Sequence, residues 1–121
     1  MSVESEIRAI WSTSSTLTTL LPLKRFTTGT NVQDTCPFGV IRQGETTYEL
    51  LTNDGPRLRK ISVELMFKAE SRTLLDQLAE AWDTKLLSAS ANTRKFRTTA
   101  RQIRCQQNGV WELILQLEWR G

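Results

Sequence analysis

The sequence predicts an α+β fold, a two-layer sandwich of about four largely antiparallel strands with two helices packed on one face. Three observations predict it. Trp111, Leu113, Leu115, Leu117 and Trp119 occupy every second position, with Glu112, Ile114, Gln116 and Glu118 between them. Successive strand side chains point to opposite faces, so this is a strand with one face buried. Ile61, Val63, Leu65 and Phe67 repeat the pattern. Between these strands Leu74, Leu75, Leu78, Ala81 and Trp82 recur at helical spacing, the apolar stripe of an amphipathic helix.

The elements run in the order α-β-β-α-β-β. Ser2 caps a first helix carrying Val3, Ile7, Ile10 and Trp11. The hydroxyl run 12–15 interrupts it, because such side chains compete with the backbone for hydrogen bonds. Ser14 or Ser15 caps a second short turn through Leu17, Leu20 and Leu21, which Pro22 ends. Residues 23–37 show no period and read as a long loop, a feature often functional in a small domain. A strand region over 38–51, broken near Gly44, the turn Asn53-Asp54-Gly55-Pro56 and the strand 58–68 form a long hairpin. Ser71 caps the second main helix, which runs to Leu87, and the small residues 88–92 link it to a strand over 94–106.

Loop length decides the register of the last hairpin. A two-residue Asn108-Gly109 loop sets Arg104 opposite Leu113 and Gln102 opposite Leu115. A three-residue loop, Gln107 to a left-handed Gly109, sets Cys105 opposite Trp111, Ile103 opposite Leu113, Arg104 opposite Glu112 and Thr99 opposite Leu117. The second register joins apolar to apolar and opposite charges, about 0.2–1 kcal/mol per pair. It is the one expected. It also puts Arg97 and Arg101 on the Trp111/Trp119 face, whose far end must then be open, with arginine stems over the indoles.

Composition narrows the function. A chain of 121 residues, 39% apolar and 24% charged, is one domain (1–121) with a single core. Acids in the opening eleven residues, and the lack of an apolar run near ~20 residues, give neither signal peptide nor membrane span and point to the cytoplasm. Cys36 and Cys105 are too few for a disulfide framework or structural zinc and read as reduced. The chain has no histidine. That removes the side chain on which Ser-His-Asp, Cys-His and most neutral-pH general-base schemes depend. No catalytic set, cofactor site or metal site is expected, and the chain reads as a non-enzyme.

Arg94, Lys95, Arg97, Arg101 and Arg104 put five positive charges in eleven residues. Net charge is +3 and the pI about 9.2. Such a strand can track phosphates or be solvated; no recognition helix, zinc finger or RNP-like aromatic spacing accompanies it. A small basic nucleic-acid-binding domain is therefore the alternative reading. Asp76, Glu80 and Asp83 form a wet helix face with no converging ligand. Arg57, Arg59 and Lys60 flank the hairpin turn, and Trp11 and Trp82 belong to the core.

In this order of elements, several segments resemble the tail-completion (tail-terminator, head–tail joining) family of tailed bacteriophages and prophages. These are residues 14–22 after the first helix, Cys36-Pro37-Phe38-Gly39-Val40-Ile41, the turn 54–56 with the basic alternating strand 58–65, and the Leu/Ala-rich helix over 74–82. Met66-Phe67-Lys68 stands where that family often has aromatics. The resemblance implies a structural virion protein of the tail or neck, assembled in the host cytoplasm. It implies a hexameric ring that caps the tail tube and meets the head connector, with DNA passing through the lumen without sequence-specific binding. Under that reading Asp76, Glu80 and Asp83 would meet Arg94, Arg97, Arg101 and Arg104 of the next subunit. Lys24, Arg25, Asn53, Asp54, Arg57 and Arg59 would contact tail-tube or connector proteins.

Overall fold

Helix α1 (Val3–Ser12) turns Val3, Ile7, Ile10 and Trp11 inward and stops at the hydroxyl run. There the Ser12 hydroxyl donates to the Ala9 carbonyl and Thr13 to that of Ile10, both at 2.7 Å. The Ser14 hydroxyl then accepts from the Leu17 N–H and caps α2 (Ser15–Leu20). This computed structural model describes residues 3–28, 36–50, 57–87, 96–105 and 107–120. The expected linker 88–92, the hairpin turn 53–56 and Arg94 lie outside the described residues.

A 3-10 turn over Leu23–Arg25 leads into β1 (Phe26–Thr28), followed by β2 (Phe38–Leu50), β3 (Arg57–Ala69), α3 (Arg72–Leu87), β4 (Phe96–Cys105) and β5 (Trp111–Arg120). The class is α+β as expected, but the sheet has five strands, in the order β1-β2-β3-β5-β4, and is mixed. β1 runs parallel to β2, and the other pairs are antiparallel. Among the described residues there are three helices, not two: α1 and α3 pack on the sheet, and α2 packs against both of them. The segment 23–37, expected as loop, thus contributes a strand. Three residues are too short to show a period, and β1 is a strand only through its pairing with β2. The expected break near Gly44 is a register shift between Gln43 and Thr46.

The core lies between the helices and one face of the sheet. Ile41, Ile61, Val63, Leu65, Phe67, Leu113, Leu115, Leu117 and Trp119 meet the apolar stripes of α1 and α3, and Leu17 of α2. At its centre the Trp11 ring lies 4.5 Å from Phe26, 5.6 Å from Phe67 and 5.8 Å from Trp82. Gly39 of β2 runs beneath this cluster, paired with Phe26 on one side and Phe67 on the other. A Cβ there would lie 2.6 Å from the Phe67 ring and 3.0 Å from Phe26. Glycine is needed for the close approach.

On the other face, cross-strand neighbours Met66 and Ile114 are half-buried and flanked by charge. Glu112, 6% exposed, accepts from Arg104 at 2.7 Å and lies 3.8 Å from Lys68.

The β4–β5 hairpin has the expected near-turn register: Cys105 opposite Trp111, Arg104 opposite Glu112, Ile103 opposite Leu113. Asn108 (φ 67) and Gly109 (φ 74) are both left-handed. Farther along, a bulge between Thr98 and Ala100 corrects the expectation. Thr98, not Thr99, pairs with Leu117, while the Thr99 hydroxyl donates to the Gln116 carbonyl at 3.2 Å. One extra residue exchanges the faces beyond it. Phe96 therefore turns inward beside Trp119, and Arg97 turns to the other face beside Glu118.

Candidate assembly surfaces

Of the residues expected to form an interface, the structure brings several together within one chain. Asp76 on α3 accepts from Arg101 on β4 at 3.0 Å, and Arg72 lies 3.8 Å from the same carboxylate. The Thr98 hydroxyl donates to Asp83 at 3.4 Å. The acidic helix edge and the basic strand are thus neighbours in the same subunit, so the Asp76–Arg101 pairing needs no second copy. Glu80 stays exposed and unpaired among the described residues. Arg97 lies 3.6 Å from Glu118, and Arg104 is taken by Glu112. The more exposed of these pairs, Asp76 with Arg101 and Arg72, contribute about 0–1 kcal/mol each.

The cations over the indoles are not Arg97 and Arg101. Arg59 lies 4.8 Å from the Trp119 ring centroid and Arg72 5.4 Å from that of Trp111. The bulge removes Arg97 from that face, and Asp76 draws Arg101 away. The Trp119 N–H donates to Glu6 of α1 at 3.1 Å, so the open end of the core is closed by Arg59 and Glu6.

Among the expected partner-contact residues, Lys24 is exposed, whereas Arg25 donates from Nε to the Pro37 carbonyl at 3.1 Å and anchors the start of β2. Arg57 opens β3 opposite Leu50. Asn53 and Asp54 lie outside the described residues. Sequence reasoning missed Arg8, whose guanidinium donates to the carbonyls of Phe26 (3.1 Å) and Leu23 (3.3 Å) and holds β1 to α1. A lone arginine on an amphipathic helix carries no signal of such a role.

Glu118 sits among three cations, Arg120, Lys60 and Arg97. The Arg120 side-chain hydrogen bond, with the charges of all three cations, holds its carboxyl below the ordinary glutamate value of 4.5, against an opposing contribution from burial. A group lowered in the folded state stabilises fully above its unfolded pKa and loses that contribution as pH falls through the folded one. Glu118→Gln should therefore be less stable than the parent near pH 7, with the gap closing on acidification below 4.5. Urea midpoints across that range check it; a gap constant with pH would contradict it.

Two surface features remain. β2 and β3 run on past Lys60, where pairing with β5 ends at Arg120, as a two-stranded arm with Tyr48 opposite Arg59. At the free edge of the sheet, a groove of about 500 Å³ lies between the end of α3 and the start of β4. Asp83, Leu86, Leu87, Phe96, Arg97 and Arg101 line it. Among the described residues no group of three or more Cys, Asp or Glu is placed to hold a metal ion, and no helix is long and apolar enough to cross a membrane.

No protein-family model matches the sequence, and no curated protein matches it. Among solved structures, the fold is similar to that of a chain in the virion of a native gene transfer agent particle. The match has a TM-score of 0.69 at 9% identity and covers 98% of this chain and 92% of that one.

Proposed function

We propose that this chain is a structural subunit of a phage-like particle, a non-enzymatic tail-completion protein. It would form a ring that caps the tail tube and joins it to the head connector. The observation that carries the reading is the match to a virion chain along nearly the whole length of both proteins. At 9% identity the match speaks of fold, and the resemblance of residues 14–22, 36–41 and 54–65 to the tail-completion family supplies the finer placement. The subunit has the asymmetry a ring needs. Its lateral edges differ among the described residues, a three-residue strand at one and a ten-residue strand at the other, which is compatible with head-to-tail contact between copies.

In this reading Asp76, Glu80 and Asp83 of α3 and Arg97, Arg101 and Arg104 of β4 face a neighbouring copy. Lys24 and the hairpin tip at 53–59 face tail-tube or connector proteins. DNA passes through the lumen. Against a phosphate-tracking strand, Arg97, Arg101 and Arg104 each face a carboxylate of their own chain.

The test is to induce particles from the source cells and locate the chain by mass spectrometry and gold labelling. The expected result is chain at the junction of head and tail. Absence from purified particles overturns the structural role, and label elsewhere overturns the neck placement.

A further inference from the structure

Two large hydrophobic side chains stand exposed among the described residues, Tyr48 at 62% and Leu87 at 86%. Their positions differ in kind. Tyr48 is on the β2–β3 arm, a protrusion; Leu87 is on the rim of the α3–β4 groove, a recess. Three strand spacings, about 14 Å, separate β2 from β4 in the sheet, and neither side chain covers the other within the chain.

We propose that the arm of one subunit docks in the α3–β4 groove of a second copy of the same chain, with Tyr48 as the anchor. The inference deepens the ring reading and rests on it. The groove suits a tyrosine: Leu86, Leu87 and Phe96 give the ring an apolar bed, and Arg101, held at the α3 side by Asp76, offers a guanidinium plane to stack on its face. Asp83, which among the described residues accepts from Thr98 at Oδ1, has acceptor capacity left for the phenol O–H. A two-stranded ribbon is marginal in water by itself, so an arm extending past the sheet gains from a surface to lie on. A rigid aromatic entering a desolvated apolar pocket is also the commonest form of interface anchor. Protrusion and recess are different patches, so the contact is heterologous and propagates around a ring.

The test mixes full-length Tyr48→Cys chain with full-length Leu87→Cys chain under mild oxidation and identifies linked peptides by mass. The expected result is a 48–87 linked dimer from the mixture and none from either variant alone. Leu87→Asp, at an exposed position and checked for folding by circular dichroism, should lose the oligomer that sedimentation is expected to show for the parent. Oligomer without the 48–87 link, 48–48 or 87–87 links, or a mixture that stays unlinked and monomeric would each overturn the contact. Oligomer without the 48–87 link leaves the virion reading standing. A 48–87 link in a chain absent from particles supports the contact and overturns the virion reading.

Discussion

Replacing Trp11 with alanine is expected to lower the stability of this domain by about 3–5 kcal/mol, the range for removing a fully buried tryptophan. Domains of this size are stable by about 5–15 kcal/mol, so the variant should unfold at far lower denaturant than the parent. The indole is fully buried against Phe26, Phe67 and Trp82, and its N–H donates to the Leu21 carbonyl at 3.0 Å. One side chain thereby ties α1 to β1, β3, α3 and the end of α2. The phenylalanine variants separate packing from hydrogen bonding. Trp11→Phe leaves the Leu21 carbonyl without its donor, about 1 kcal/mol beyond the change in volume. The Trp82 N–H is buried with no partner among the described residues, so Trp82→Phe removes no such bond. Guanidinium chloride unfolding should rank Trp11→Phe below Trp82→Phe; the reverse order would contradict this account of the core.

The second large effect is expected from a single methyl group. Gly39→Ala places a Cβ 2.6 and 2.7 Å from two atoms of the Phe67 ring and 3.0 Å from Phe26. Both rings are fully buried and in contact with one another and with Trp11, so neither can swing away. Overpacking of this kind costs about 1–3 kcal/mol, and the tightness of these contacts puts Gly39→Ala at the upper end. Gly44→Ala is the milder comparison, because the atoms nearest its Cβ would be those of Ser62, at 3.3 Å, which a shift of a few tenths of an ångström accommodates. Thermal unfolding of both variants decides the matter. Equal melting temperatures would mean that the aromatic cluster yields more readily than its packing implies.

Most of the fold was legible because most of it is set by local pattern. Alternation marks β3 and β5, the helical stripe marks α3, Ser71 and one of Ser14 or Ser15 mark helix starts, and apolar and charge matching choose the register next to the last turn. What escaped depends on partners distant in the chain. Phe26–Thr28 becomes a strand only beside β2, and Gly39 is needed only because two rings meet above it. The extra residue at Thr99 is invisible to a parity argument that assumes unbroken pairing, and it alone reversed the expected face of Arg97. The candidate surfaces were legible in composition and not in arrangement. The charges of α3 and β4 stand out in composition, yet no spacing rule shows that the chain folds Asp76 onto Arg101 of the same copy.

The bulge at Thr98–Ala100 has a consequence for how copies can join. A long, regular outer strand would accept the backbone of another molecule, and that one the next, without limit. Here the outer strand is kinked midway and studded with arginines, and the opposite margin is only three residues long. Among the described residues neither border is a long, regular strand of the kind that templates continuous sheet growth. Any copy that meets another at these borders would do so through side chains and shape rather than by lengthening the sheet.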